Sequence, residues 1–527
     1  MRPAIAPRPL TGLAALLGLS YSAPGTITGV THDSRRVRPG DLYVALAGST
    51  AHGAEFAQQA VTAGAVAILT DPEGAPAARG TGSPVLVVAD PRSSLGTVAA
   101  WVYGDPSSKL LLLGVTGTSG KTTMTYFLER GLAAAGHNTG LVGTVETRIG
   151  GDAAPSAHTT PEATDLQGIF ALMQERSVSA AAVEVSSHAL AFGRAEGTIY
   201  DVAVFTNLSP EHLDFHRDLE DYFAAKALLF TQAHSRLGVV NADDPYGRRL
   251  IEQAEVPITT FSSTGRSDAQ WRAEDVRHGA DGSVFRVVGP GGIEADASVQ
   301  LPGAYNVANG LGAIVALVEA GISLRTAVLG VSSLANVPGR MERVDAGQQF
   351  VALVDYSHKP DAVESALGAL RPLTQGRLIV VLGCGGDRDR AKRPLMGAAA
   401  ARLADLAILT NDNPRSEDPL AILTAMASGA LEVPQEERAH VVMEPDRAAA
   451  ISLAVARAAP DDVIVVAGKG HEHGQEIKDM VHPFDDRVVL RQALDAARNA
   501  AVEATMEEAL KGAMRGAASG GPQGERS

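Results

Sequence analysis

The sequence predicts an α/β protein of three domains: a small N-terminal α/β module, a central domain on a mostly parallel sheet, and a C-terminal α/β domain. Three observations predict it. Short apolar runs recur along the chain, and each stops abruptly at Gly, Asn, Asp or Ser, where a polar loop begins. Stretches with helical apolar spacing lie between these runs, the alternation that gives a parallel sheet covered on both faces. The length of 527 residues exceeds what one hydrophobic core organises, so two to four domains are expected.

The first domain is expected over residues 1–107. It contains the strand run PGDLYVAL, a helical stretch through Ala54–Ala63 and the run VAIL, and it closes at the turn sequence Gly104-Asp105-Pro106-Ser107-Ser108. At its start, Arg2 and Arg8 with the apolar stretch Leu10–Leu19 loosely imitate a secretion signal. Leu10, Leu13, Leu16 and Leu17 nevertheless fall at helical spacing after Pro9, which suits a helix docked on a core. The second domain, residues 108–337, opens with LLLLGV and a glycine-rich turn, followed by a helix from about Thr122 to Ala135 with Gly136 as its cap. Its later strands run into polar loops: AAAVEV into SSHAL, DVAVF into TNLSPEHLDFH, LGVV into NADDP. The third, residues 338–500, begins after NVPGR with VALVDYSH, then LIVVLGCGGDRD, LAILTNDNPR and VIVVAGKGHE. The last three loops leave the carboxyl ends of strands and should converge on one site. Residues 501–527 are expected to form a disordered tail.

Composition limits the function classes. A net charge of −15 and a pI near 5.4 argue against a general nucleic-acid or anionic-membrane surface, though a local Arg or Lys cluster can still bind phosphate. A single cysteine, Cys384, excludes an intrachain disulfide and a cysteine-based zinc cluster, and suits a reducing cytoplasm. No apolar run approaches the ~18 residues that span a bilayer.

The strongest motif is GVTGTSGKTT, Gly114 to Thr123, between a buried strand and a helix. Backbone N–H groups of Gly117, Thr118, Ser119 and Gly120, with the helix N-terminus, form a cradle for phosphate oxygens. Lys121 would neutralise the β- and γ-phosphates, and the Thr122 hydroxyl, beside Thr123, would ligate Mg²⁺. Val115 stands where the strict nucleotide-loop pattern has Gly, so the spacing is a variant. Glu184, ending AAAVEV, and His212, in the next loop, lie at neighbouring strand ends where they could contact the metal; either could equally be a hydrogen-bonded loop residue.

The segments TGTSGKTT, TTPE, EVSSHAL, TNLSPEHLDFH, AAKALLF, NVANGLGA, PGRME, DYSHKPD and DNPR occur in an order that resembles the Mur ligases, from HDSR at residue 32 to about residue 495. The resemblance implies an N-terminal module for a UDP end, a central ATPase and a C-terminal Rossmann-like domain. It implies an ATP-dependent, amide-forming enzyme of peptidoglycan precursor synthesis with Mg²⁺, acting on UDP-N-acetylmuramoyl-L-alanyl-D-glutamate and diaminopimelate through an acyl phosphate, as a monomer. Lys226, alone a solvated helix lysine, would by this resemblance be carbamylated (an N6-carboxylysine) and help hold a second Mg²⁺. Only a neutral amine reacts with CO₂, so nearby positive charge should depress its pKa. Asn306, Asn309, Arg340, Asp355 and His358 match nucleotide contacts, His358 being equally readable as a packed loop residue. Ser34 matches a uridine contact, and Thr159, Thr160, Ser186 and Arg194 match contacts to the muramyl dipeptide. Phe192 departs from the polar Gln that relatives often carry there.

The acceptor is read from the third domain. Asp412-Asn413-Pro414-Arg415 matches the family pattern for diaminopimelate, whose far carboxylate a guanidinium binds with two parallel hydrogen bonds. Arg388 matches a second arginine, and Gly468 and Glu472 match contacts to the distal ammonium. A plain Asx turn with a surface arginine is the other reading of DNPR. Rivals are a ligase of the same scaffold using lysine or folate, a phosphotransferase or switch GTPase, and an inactive binding protein. TTPE, EVSSHAL and DNPR disfavour the first, the lack of an NKxD element the second, and intact Lys121, Thr122, Glu184 and Lys226 the third. The residues do not distinguish meso- from LL-diaminopimelate.

Overall fold

The computed structural model describes residues 3–279, 281–478 and 480–519. The chain packs as two compact units: one of residues 1–277, 283–300 and 305–335, the other of 278–282, 301–304 and the chain from Asn336 onward.

Besides the two-residue pairing of Arg8–Pro9 with Thr26–Ile27, the first unit holds two larger sheets. In the smaller, four parallel strands run in the order Gly29–Thr31, Asp41–Ala45, Ala67–Thr70, Val85–Val87. All five residues of Asp41–Ala45 are buried, because helices cover both faces. The helix Leu10–Leu16 exists as expected and buries Leu10, Leu13 and Ala14, with Leu17 partly buried against the same core. Leu16 is different: it is 42% exposed, since positions 10, 13, 14 and 17 line one helical face and 16 falls off it. The helix Pro91–Tyr103 begins on an Asp90 cap, whose carboxylate accepts from Arg92 N and Ser93 N, and ends at Gly104 with φ 80°.

The larger sheet has eleven strands. At its centre Leu111–Thr116 lies between Ala180–Glu184 and Val202–Phe205, all parallel and all rich in small or branched apolar residues. Gly238–Asn241 and Ile258–Ser262 extend the parallel run, while antiparallel hairpins finish both edges. From the central strand the chain turns directly into the helix Lys121–Ala134, which stops at Gly136 (φ 88°) with His137 N donating to Leu132 O at 3.1 Å.

The second unit is built on a six-stranded sheet. Val351–Asp355, Val463–Ala467, Leu378–Leu382, Leu406–Leu409 and His440–Met443 are parallel, and the short Glu342–Arg343 is an antiparallel edge. A final helix, Asp486–Ser519, runs through residues 501–519, where composition predicts a disordered tail. Alanines, glutamates and methionines there are strong helix formers, and they outweigh the glycines. Residues 520–527 of that expected tail lie outside the described residues. Among the described residues no helix is long and apolar enough to cross a membrane.

Two glycines bring the phosphate-loop helix against the helix Leu324–Ser332. A Cβ at Gly330 would lie 2.5 Å from Gly131 Cα and 2.8 Å from Arg130 O, backbone atoms that cannot swing aside. Gly330→Leu is therefore expected to cost about 1–3 kcal/mol by forcing the helices apart. Thermal unfolding checks this, and an unchanged melting temperature would contradict the close packing.

Candidate active site

The loop Gly117–Gly120 joins the buried strand Leu111–Thr116 to the helix Lys121–Ala134. Gly117 and Gly120 have φ 145° and 88°, and a side chain at either would collide with Thr206 Oγ1 or Asn309 Oδ1. Both positions thus require glycine for conformation and for space. Gly120 is the helix N-cap and makes no side-chain cap, so the helix opens on backbone alone. The loop is braced from the next strand end. Asn207 O accepts from Thr118 N (2.8 Å), Asn207 Oδ1 from Ser119 N (3.0 Å), and Thr206 Oγ1 donates to Ser119 O (2.7 Å). Sequence reasoning passed over Asn207, whose only local signal is its place in TNLSPEH.

Two lysines meet at one carbonyl. Lys121 Nζ donates to Gly117 O and Thr118 O, both at 2.8 Å, and Lys226 Nζ donates to the same Gly117 O at 2.7 Å. Lys226 comes from the helix Leu219–Ala227, started by an Asp218 cap, and is 1% exposed. Its ammonium lies 4.4 Å from the Tyr222 ring centroid, and Tyr222 OH lies 3.2 Å from Thr118 Oγ1. Burial first, and the Lys121 charge second, hold the Lys226 amine well below the usual lysine range. The sequence argument named only the charge; the larger cause is desolvation.

His212 lies near both lysines, with its Nε2 3.3 Å from Glu211 Oε1. It has φ 57° and sits in a ring cluster, 4.6 Å from His188 and 6.1 Å from Tyr222. Burial, then Lys121 and Lys226, push it down to about 4, so it is neutral near pH 7. His188 is likewise pushed down to about 4, by burial and by His212 and His216. His216 is tied by Nε2 to Ser187 Oγ at 3.0 Å. These two histidines were not singled out from the sequence.

Glu184 is fully buried, and its carboxylate accepts three hydrogen bonds from two threonines. Thr122 Oγ1 donates to Oε2 (3.1 Å), Thr144 Oγ1 to Oε2 (2.9 Å) and Thr144 N to Oε1 (2.8 Å). Thr159 Oγ1 is 3.0 Å from Thr144 Oγ1. Thr160 Oγ1 donates to Glu184 O (2.8 Å) and accepts from Ser186 N (3.0 Å), while Ser186 Oγ caps the helix Ser187–Ala191. Thr122, Thr159, Thr160, Glu184 and Ser186 are thus one network. Arg194 Nε pairs with Glu162 Oε1 at 2.8 Å, and Glu162 Oε2 also takes Arg92 at 3.0 Å. Phe192, the departure from the family pattern, places its ring 5.6 Å from the Arg194 guanidinium and 5.0 Å from the Phe215 ring. The arginine keeps an aromatic support there in place of an amide. Ser34, buried in the short turn Ser34–Arg36, belongs to the four-stranded module. Asn306 and Asn309 are buried on the helix Ala304–Glu319, linked Nδ2 to Oδ1 at 3.1 Å, with Asn309 against Gly120.

Among the described residues no group of three or more His, Cys, Asp or Glu side chains is set to hold a metal ion. The paired oxygens of Thr122 and Glu184 fit a hard cation that takes its remaining ligands from phosphates and water.

The second unit gathers its predicted residues at the carboxyl ends of its strands. Asn413 is the junction: Nδ2 donates to Glu472 Oε2 (3.0 Å), and Oδ1 accepts from Lys469 Nζ (3.0 Å) and Glu476 N (2.9 Å). Arg415 Nη1 donates to Gly386 O (2.8 Å), and a Cβ at Gly386 would strike Pro414 O. Gly468, φ 114°, has no room for a side chain beside Asp412 Oδ2. All three predicted loops therefore meet. Arg388 stands on their rim, exposed, with Nη1 on Asp387 O at 3.2 Å. Beneath them Arg447 and Asp486, both 0% exposed, form a two-bond ion pair, and Arg447 also donates to Asn411 O (3.3 Å) and Ala467 O (3.0 Å). Neither was found from sequence, because a buried pair 39 residues apart leaves no local pattern.

In the same unit Asp355 accepts from Met341 N (2.8 Å) and Ser357 N (2.9 Å), so its carboxylate is used in folding the NVPGR segment onto its strand. The Arg340 guanidinium lies 4.6 Å from the Tyr356 ring centroid. His358 Nδ1 is 2.7 Å from Tyr356 O, and burial lowers its pKa.

Comparison with known proteins agrees along most of the chain. Residues 26–103 match the family model "Mur ligase family, catalytic domain", 115–317 "Mur ligase middle domain" and 339–470 "Mur ligase, glutamate ligase domain". A UDP-N-acetylmuramoyl-L-alanyl-D-glutamate–2,6-diaminopimelate ligase of Streptomyces avermitilis is 59% identical over 495 residues, covering 94% of this chain and 98% of the relative. A protein of the same name from Corynebacterium glutamicum is 48% identical over 462 residues, covering 86% and 89%. A solved structure of a ligase of that name superposes with a TM-score of 0.68 at 32% identity, covering 94% of this chain and all of the other. The chain belongs to the Mur ligase family.

Proposed function

We propose that this chain joins diaminopimelate to UDP-N-acetylmuramoyl-L-alanyl-D-glutamate with ATP, a step in peptidoglycan precursor synthesis, and that its domains divide near 107 and 337. The observation that carries the reading is the buried Lys226 amine on the phosphate loop's own carbonyl. Burial and the Lys121 charge favour the uncharged amine there. A ligase that must bring a carboxylate onto a triphosphate needs extra charge control at that point.

In this reading the glutamate carboxylate attacks the γ-phosphorus and ADP leaves. The acceptor amine then attacks the acyl carbon, loses its proton, and phosphate departs. Lys121 and the backbone of Gly117–Gly120 hold the phosphates. Asn306 and Asn309, the latter beside Gly120, would contact the nucleotide; Arg340, Asp355 and His358 are proposed as nucleotide-binding residues by the family match. The Thr122 and Glu184 oxygens would hold Mg²⁺, which when bound neutralises phosphate charge. A neutral Lys226 takes up CO₂ as a carbamate, converting a buried would-be cation into an oxygen ligand. His212, uncharged, adds no third positive charge beside the two lysines. Thr159, Thr160, Ser186 and Arg194 receive the dipeptide, and Ser34 the uridine end. Arg415 and Arg388 take the acceptor's far carboxylate, and Glu472 with the Gly468 backbone its ammonium, on the platform of Asp412, Asn413 and Pro414.

Three outcomes are expected. Lys121→Ala lowers kcat by about two orders of magnitude or more; a near-normal rate would remove it from the chemistry. Phosphate release in the presence of UDP-muramyl dipeptide is supported by diaminopimelate and not by L-lysine, and Arg415→Ala raises the diaminopimelate KM about 10–100-fold. Turnover with lysine alone would overturn the acceptor. The third concerns Lys226. Its folded pKa lies below its unfolded value of about 10.4, so between the two the unfolded chain binds the extra proton and stability rises with pH. In bicarbonate-free buffer the wild type should gain stability as pH rises from its lowered folded pKa toward about 10, and Lys226→Met should lack that gain. Parallel curves would show that Lys226 is charged.

A further inference from the structure

Arg415 is fixed twice, by backbone and by side chain, to the hairpin Gly474–Ile477/Met480–Pro483. Its φ of 51° is a conformation that a non-glycine residue adopts only at a cost. Arg415 N donates to Glu476 O at 3.0 Å and Lys478 N donates to Arg415 O at 2.7 Å, a bridge that keeps the residue there. The side chain follows: Nε donates to Glu476 Oε2 at 2.8 Å and Nη1 to Gly386 O at 2.8 Å. A guanidinium carries five donors in one rigid plane, so two such bonds set the plane and leave donors on both terminal nitrogens. Glu476 also reaches the other end of the loop cluster. Its amide donates to Asn413 Oδ1 at 2.9 Å, and Asn413 Nδ2 in turn holds Glu472 Oε2 at 3.0 Å. One residue thus touches the arginine directly and the carboxylate through a single amide side chain.

We propose that Glu476 is a positioning residue for the acceptor. Its side chain fixes the plane of Arg415, on a strand that its backbone N–H ties to Asn413 and thereby to Glu472, and so sets the preference for a diamino acid bearing a far carboxylate over one without. This rests on the acceptor roles given above to Arg415 and Glu472. A carboxylate beside an arginine has a second possible effect, which is to neutralise it. The two effects have opposite signs. If Glu476 chiefly neutralises, its removal strengthens Arg415 for an anionic acceptor; if it positions, removal weakens binding.

The test is steady-state kinetics on the full-length enzyme and on Glu476→Ala and Glu476→Gln, with diaminopimelate and L-lysine as acceptors. Glu476→Ala is expected to raise the diaminopimelate KM about tenfold, with kcat and the KM values for ATP and the UDP-muramyl dipeptide changed by no more than about twofold. Glu476→Gln keeps an oxygen acceptor for Nε, and its diaminopimelate KM should stay within about threefold of wild type. An unchanged or lowered KM in Glu476→Ala overturns the inference, as does an equal rise in both variants, which would show that the oxygen Gln keeps for Nε does not hold the arginine. A uniform loss across all three substrates overturns it too, since that marks general damage. Wild-type enzyme that uses lysine in place of diaminopimelate overturns the acceptor reading itself, an outcome separate from failure of the variants.

Discussion

The carbonyl oxygen of Gly117 receives two lysine nitrogens, one from the start of the phosphate-loop helix and one from a helix over a hundred residues later. Two ammonium groups no more than two hydrogen-bond lengths apart, one of them cut off from water, cannot both stay charged without a large cost. The cheapest resolution is for the buried one to give up its proton. Around that constraint the nearby groups make sense together. His212 and His188 are held neutral, Tyr222 offers its ring face to Lys226, and Gly117 is left without the Cβ that would block Thr206.

The acceptor loops show a different economy. They lie on rigid strand ends, and their polar groups are satisfied by one another: Asn413 by Lys469, Glu472 and Glu476, and Arg415 by Glu476 and Gly386. Under them the Arg447–Asp486 pair is wholly buried. Such a pair adds little net stability, but loss of one partner strands the other. Its effect is to tie the Asn411 and Ala467 carbonyls to the start of the last helix, so that two loops cannot shift separately.

Much of this was legible in sequence, for an identifiable reason. The phosphate loop, its glycines and its lysine are contiguous, so spacing alone exposes them. The strand-end loops of the third domain are each local, and the parallel-sheet rule predicts their meeting. Lys226 was legible as a position but not as a charge state, because burial is a tertiary property that one helix does not display. Asn207, His216, Arg447, Asp486 and Glu476 were invisible for the same reason: each acts on a partner far along the chain. Asp355 was read as a nucleotide contact from its motif, and the structure adds that backbone amides of Met341 and Ser357 already use its carboxylate. The helix through 501–519 is hard to read from composition, because glycines and polar residues stand among its helix-forming alanines.

The account stands on the charge state of Lys226, and one spectrum addresses it directly. Enzyme equilibrated with ¹³C-bicarbonate near neutral pH, then observed by ¹³C NMR, should show a protein-bound carbamate resonance that is absent from Lys226→Met. A wild-type spectrum without that resonance, or one that persists unchanged in Lys226→Met, would mean that the buried amine is not the neutral, CO₂-reactive group on which the rest of the site depends.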